Sequence, residues 1–262
     1  MSVELLPAGA AFDAIAERFD ARFSTWRSVA AQRSAVRTDL LAAFPEGARL
    51  LEIGGGTGDD AAWLATRGRS VLLTDAAPAM AAVAARKLGT ETEALAAEQI
   101  GMLADRGERF DGAFSNFAAL NCVADLRPVG EGLGRLIRPG GQLVLVVFGT
   151  CCPGEWVTEA VRGRWRNVFR RFASDDVPAT LSGRAFTVRY HRARDIMAAM
   201  RPWFRPTGAK AIGLFVPPSA AEPWISRQPR LLAAMAAADR KFAGVLAPFG
   251  DHILYRFERV RE

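Results

Sequence analysis

The chain of 262 residues is poor in the side chains that carry much of enzyme chemistry: three cysteines, two histidines, two tyrosines, and three lysines among 34 basic residues. Each scarcity excludes something. Cys122, Cys151 and Cys152 form no C-x-x-C pair. Adjacent Cys151 and Cys152 are poorly placed to bridge each other, so reduced thiols are expected. The scattered histidines and cysteines give no zinc-ligand spacing, and no metal site is expected. No apolar run approaches the ~18–20 residues needed to cross a bilayer. Residues 1–11 have no basic stretch before an apolar core, so neither a signal peptide nor stable membrane insertion is expected, and the cytoplasm is the expected compartment. Internal repeats and low-complexity tails are lacking too.

Net charge is +6, and it is confined to one region. Residues 151–206 carry eleven arginines against five acids, whereas the remainder balances 23 basic with 23 acidic side chains. A dispersed basic face is therefore absent, and nucleic acid is not an expected partner.

What is present is organised around residues 50–60, LLEIGGGTGDD. The apolar run Leu50, Leu51, Ile53 predicts a buried strand, the glycines break it, and Ala61–Ala65 resumes a helical pattern. Strand, glycine turn and helix N-terminus bring backbone N–H groups close to a ligand. Ser70–Asp75 predicts a second buried strand ending in an acid, which suits two ribose hydroxyls of a nucleoside. Pro78 opens an alanine-rich helix that stops at Gly89, and Thr92–Ala96 predicts a short third strand. A fourth strand lies within RFDGAFSN, residues 109–116, and a fifth follows the Pro139-Gly140-Gly141 turn through Phe148. Strands alternating with helices over 100 residues predict an α/β fold with a doubly wound, mostly parallel sheet.

The other segments are read from periodicity. Residues 10–43 predict one or two helices with an apolar stripe of Phe12, Ile15, Phe19, Phe23 and Trp26. Residues 155–172 form a basic amphipathic segment, weakened by Gly163, that suits a helix packed on the domain, a substrate cap or a membrane surface. A β-arm is expected at 185–190, a helix at 195–204, a strand at 210–216, a helical stretch from 229 to about 246, and a final strand at 252–260.

Several motifs then occur in one order. Glu52, Gly54, Gly56 and Gly58 form E-x-G-x-G-x-G, followed by Asp75 at a strand end, FDGAFSNFAALN at 110–121 and LIRPGGQLVLVV at 136–147. This series resembles the class I S-adenosylmethionine (SAM)-dependent methyltransferases of the small-molecule branch, without the N-P-P-Y of amino-methylating nucleic-acid and glutamine enzymes. The resemblance implies a seven-stranded Rossmann-like sheet with an α-rich cap insertion. It implies a helical lid at 1–45, a SAM-binding core at 46–150, a cap at 151–206, and the last two strands with an intervening helical segment at 207–262. SAM is the implied cofactor, with S-adenosylhomocysteine as product. Glu52, Gly54, Gly55, Gly56 and Gly58 would hold its methionine and ribose end, Asp75 and Ala76 the ribose, and Glu98 or Gln99 the adenine. Asn116 and Phe117 would lie near the methionine amine or the methyl path, and Arg33 or Arg37 could meet the carboxylate. Phe12 and Phe19 stand where the family often has tyrosines.

For the acceptor, Asn121, Arg166, Arg170 and Tyr190 are the substrate-binding candidates, with His191 and Tyr190 the catalytic ones and His252 a further histidine at the start of the last strand. A carboxylate or enolate acceptor would need no base. Trp156, Trp165, Trp203 and Trp224 in the insertions favour a small, partly apolar or anionic metabolite. A non-methylating SAM enzyme on the same fold, a silent SAM-binding regulator and an NAD(P)-dependent reductase remain alternatives. The last lacks any Tyr-x-x-x-Lys pair. Oligomeric state is not legible.

Overall fold

Short apolar runs punctuated by glycine and proline become strands buried on both faces, with amphipathic helices closing over them. The computed structural model describes residues 5–23, 25–87, 90–173 and 175–260. Three helices come first: α1 (Ala8–Asp13), α2 (Ala16–Phe23) and α3 (Arg27–Ala43). Alternation follows through β1 (Arg49–Ile53), α4 (Asp59–Ala65), β2 (Ser70–Asp75), α5 (Pro78–Ala85), β3 (Thr90–Ala94), α6 (Gly101–Asp105), β4 (Phe110–Ser115), α7 (Arg127–Leu136) and β5 (Ile137–Phe148). An insertion then carries α8 (Pro153–Val161), α9 (Trp165–Val168), the hairpin β6 (Val177–Leu181) and β7 (Arg184–Val188), and α10 (Ala193–Met200). The chain closes with β8 (Phe204–Ile212), α11 (Pro229–Phe242) and β9 (His252–Arg259).

The seven-stranded sheet runs β3-β2-β1-β4-β5-β9-β8. The first five strands are parallel, and β9 inserts antiparallel between β5 and β8. Strand order reverses between β1 and β4, so a crevice opens at their carboxyl ends, where open α/β sheets receive ligands. Because successive strand residues point to opposite faces, Leu50 joins the core under α3 and α4 while Leu51 joins the core under α6 and α7; both are fully buried. Burying each such side chain contributes about 1.5–3 kcal/mol. Helix α3 packs so closely that a Cβ on Gly112 of β4 would lie 2.5 Å from the Phe44 ring, which ties that position to glycine. Among the described residues, no helix is long and apolar enough to cross a membrane.

Three sequence expectations shift. The amphipathic segment is not one helix: α8 ends at Val161, Gly163 turns left-handed at φ +70°, and α9 restarts at Trp165. Glycine takes that conformation without the Cβ clash that other residues meet. The third strand begins at Thr90 rather than Thr92. The sixth sheet strand, β8, runs from Phe204 to Ile212 rather than from Lys210 to Val216. As the edge strand it buries little over Arg205–Thr207 and carries no apolar run to announce it.

Candidate active site

The glycine loop leaves β1 with Gly54, Gly56 and Gly58 at φ +66°, +56° and +78°. Gly54 and Gly55 donate to the Thr74 carbonyl at 2.8 and 3.1 Å, pinning the loop to β2. The Asp75 carboxylate accepts from the Gly56 N–H and the Ala77 N–H, both at 2.8 Å, and so clamps the loop to the start of α5. A Cβ on Gly54 would sit 2.3 Å from the Ala119 Cβ, whereas one on Gly56 would meet nothing within 4 Å. The loop is thus packed on one side and open to the crevice on the other.

Glu52 lies beneath this loop, 2% exposed, and its Oε2 has no hydrogen-bond partner among the described residues. Burial pushes its carboxyl well above the usual range. The nearby Asp60 and Asp75 charges add to the rise, while Arg33 and the Ala61 N–H oppose it. A buried carboxyl with one unpaired oxygen is costly unless a donor arrives, and a cation would satisfy it best. Asp75 is also raised by burial, against the pull of its two N–H donors.

The remaining cofactor candidates surround this centre. Glu98 and Gln99 are exposed on a turn at residues 97–99. Burial pushes the Cys122 thiol up to about 12, and the charges of Asp75 and Glu98 add to the rise. Ala76 is exposed, and α1 rests on it: a Cβ on Gly9 would come 2.8 Å from the Ala76 carbonyl oxygen.

Asn116 donates from Nδ2 to Asp60 at 2.7 Å and accepts the Phe117 N–H on Oδ1 at 2.8 Å, which ties it to the start of α4. Asp60 also accepts from Arg37 Nε at 2.7 Å, and Arg33 reaches Asp59 at 3.2 Å. Both arginines therefore stiffen the start of α4. Phe117 and Ala118 follow with φ +48° and +62°. Such left-handed conformations cost about 1–3 kcal/mol each in non-glycine residues and mark loops held for function. The Ala118 N–H on the Val146 carbonyl, at 3.0 Å, helps hold this one.

The acceptor-side expectations need correction. Asn121 spends its Nδ2 on the Arg189 carbonyl (2.6 Å) and its Oδ1 on the Phe148 N–H (3.0 Å), stapling β5 to the end of the hairpin rather than facing a substrate. His191 donates through Nε2 to the carbonyls of Val123 (2.9 Å) and Leu120 (3.2 Å), so that nitrogen holds a loop and is no base. Burial pushes its pKa down. Arg166 is exposed on α9, and Arg170 is bound by Glu155 at 2.9 and 3.1 Å. Tyr190 packs its ring 5.8 Å from Phe148, and burial raises its phenol.

Arg171 escapes a reading of the sequence, and His252, a candidate base in it, gains its setting only from the fold. Arg171, 3% exposed, donates to Glu155 at 2.5 and 3.0 Å, to the Asp251 carboxylate at 2.6 Å, and to the carbonyls of Gly149 (3.1 Å) and Asp251 (2.7 Å). It locks the insertion onto the ends of β5 and β9. His252 stacks on Phe148 with ring centroids 4.8 Å apart and meets Phe117 edge-on at 5.7 Å. The antiparallel register that sets Phe148 opposite His252 brings this histidine to the same sheet edge as the glycine loop. Only that long-range pairing distinguishes it from His191.

With this geometry in view, residues 51–145 match the family model described as a methyltransferase domain. Over those residues the chain carries a methyltransferase domain. Solved structures share its fold. A candidate S-adenosylmethionine-dependent methyltransferase from Listeria monocytogenes superposes with a TM-score of 0.60 at 16% identity, covering 86% of this chain and 96% of that one. A SAM-dependent methyltransferase from Methanosarcina mazei gives 0.56 at 18% identity, with 85% and 97% covered. The geranyl diphosphate C-methyltransferase of Streptomyces coelicolor, bound to Mg2+, geranyl diphosphate and S-adenosyl-L-homocysteine, gives 0.53 at 16% identity, with 87% and 79% covered. No curated protein matches the chain at the sequence level.

Proposed function

We propose that this methyltransferase binds SAM at the carboxyl ends of β1, β2 and β4 and passes its methyl group to a small molecule received beneath the insertion. The observation that carries the reading is the buried Glu52 carboxyl, whose Oε2 lacks a partner beneath a glycine loop with free space at Gly56. The amino group of an amino-acid cofactor would supply the missing donor and keep Glu52 ionised. Asp75, already aligned by two backbone N–H groups, keeps lone pairs for ribose hydroxyls, and Glu98 stands at the adenine end.

When bound, SAM supplies a methyl carbon activated by its sulfonium. What remains for the protein is to orient the acceptor and exclude water. The N-terminal helices suit the second task. Asp13 accepts from the Ala79 N–H at 2.7 Å, Asp20 from Thr57 at 2.5 Å, and Glu17 pairs with Arg86 at 2.7 Å, so α1 and α2 are fastened over α5 and the glycine loop.

On the acceptor side, Arg170 and Arg171 are spent on Glu155 and Asp251. The aromatic rings of Phe117, Phe148 and Tyr190 support a small, partly apolar acceptor over an anionic one. The test is product analysis after incubating the protein with SAM and a panel of small apolar acceptors. S-adenosylhomocysteine formed in step with a methylated acceptor supports the reading. Methylthioadenosine, or SAM left intact across the panel while NADPH is consumed, overturns it.

A further inference from the structure

The histidine at the start of β9 lies among the aromatic rings of the acceptor side. His252 is 6% exposed, stacked on Phe148 and edge-on to Phe117. Its Nδ1 is buried without a hydrogen-bond partner in the strict sense, and the polar group that it faces is Asp251 Oδ2 at 3.4 Å. A bare Nδ1 lone pair facing a carboxylate would be repelled, so the proton belongs on Nδ1 and Nε2 is the bare nitrogen. Asp251 is held ionised for this task. Arg171 and the neighbouring His252 hold its carboxyl far below the usual range, overcoming its burial. Arg171 bonds it at 2.6 Å and Gln32 of α3 donates to it at 3.3 Å.

The Arg171 guanidinium lies over the Phe148 ring at 5.0 Å, and that of Arg33 over the Phe117 ring at 4.9 Å. Arg171 and His252 share the Asp251 carboxylate: the guanidinium bonds Oδ1 at 2.6 Å while His252 Nδ1 faces Oδ2 at 3.4 Å.

We infer that His252, aligned by Asp251, is the general base of this site, and that the acceptor is a neutral, ring-bearing molecule methylated on a weakly acidic hydroxyl. The inference rests on the methyltransferase reading above. In the step, the hydroxyl oxygen forms its bond to the methyl carbon as the carbon–sulfur bond breaks with its electron pair going to sulfur. The hydroxyl proton passes to Nε2, and Asp251 stabilises the resulting imidazolium. A carboxylate or enolate acceptor would need no base and would bring a second anion toward Asp251. A neutral hydroxyl needs the base and fits between Phe117, Phe148 and Tyr190.

Two histidines make the test direct. In protein labelled with 15N-histidine, long-range 1H–15N correlation reads each ring's tautomer without cofactor or substrate, and H252Q assigns the pair. The structure requires opposite tautomers: Nε2–H at His191, which donates to two carbonyls, and Nδ1–H at His252. An Nε2–H tautomer at His252 overturns the inference. The second arm uses ring-substituted phenols of graded acidity as acceptors with SAM. H252Q should lower kcat about 10²–10⁴-fold for weakly acidic phenols and far less for phenols already ionised, with SAM affinity changed less than about twofold. An equal loss on all phenols reduces His252 to a packing residue, and no methylation of any phenol by the wild type overturns the acceptor class. Failure of the wild type to bind SAM defeats the methyltransferase reading itself, whatever the tautomers show.

Discussion

Replacing Arg171 by alanine tests how the insertion is fastened to the core. The guanidinium makes five short hydrogen bonds to Glu155, Asp251 and Gly149 while 3% exposed. Removing one partner of a buried ion network typically costs about 3–5 kcal/mol, because the partner charges stay buried and unpaired. Compensation is partial here. Glu155 keeps Arg170 at 2.9 Å, and Asp251 keeps Gln32 at 3.3 Å. The cost should therefore fall near the lower bound, about 3 kcal/mol, or roughly 6–12 °C of melting temperature for a chain of this size. Exposed Arg166→Ala should stay within about 0.5 kcal/mol. The network also has an acid signature. Asp251 and Glu155 both titrate below their usual values, so the unfolded chain binds more protons than the folded one in acid. Their contribution is complete above the ordinary carboxylate range, about pH 4, and is lost as pH falls below it. Melting curves of both variants between pH 3 and 8, by circular dichroism, read out all of this. If Arg171→Ala melts within about 2 °C of wild type at pH 7, the reasoning is wrong.

Glu52 is raised, so the linkage sign reverses. The folded state holds the proton longer than the unfolded chain, and stability is lost as pH rises through the carboxylate range and beyond. Glu52→Gln should consequently melt higher than wild type at pH 8 yet bind SAM more weakly, a combination visible in melting curves with and without SAM. Gly56→Ala meets no neighbour but takes up a φ of +56°, so it should fold with a loss of about 1–2 kcal/mol. Its Cβ enters the crevice, so calorimetric affinity for SAM should fall at least tenfold. Cys122 and Cys152, whose thiols burial pushes up to about 12, should alkylate with iodoacetamide at pH 8 about 10³-fold more slowly than a free cysteine. Mass mapping of the labelled peptides checks this.

The sheet was legible where local chemistry speaks: apolar strands at Leu50–Ile53 and Val71–Leu73, a glycine turn after the first, and an acid at the end of the second. Those signals arise from burial on both faces and from backbone conformations that glycine permits, and both are local. What stayed hidden depends on distant pairing. Strand β8 alternates exposed Arg205 and Pro206 with half-buried Gly208 at the sheet edge, so its start at Phe204 had no apolar run behind it. His191 stood among the catalytic candidates, but the loop carbonyls of Leu120 and Val123 claim its proton. His252 depends on the register of β9 against β5, and Arg171 looked like one more surface arginine until Glu155 and Asp251 closed around it.

Calorimetric titration of S-adenosylhomocysteine into the wild-type chain, Glu52→Gln and Asp75→Asn, with NADH run in parallel, tests the proposed cofactor site most directly. Saturable one-to-one binding of S-adenosylhomocysteine by the wild type, weakened at least tenfold in both variants, is the predicted result, with no heat from NADH. Equal affinity in all three proteins, or saturable binding of NADH in place of S-adenosylhomocysteine, would contradict the account.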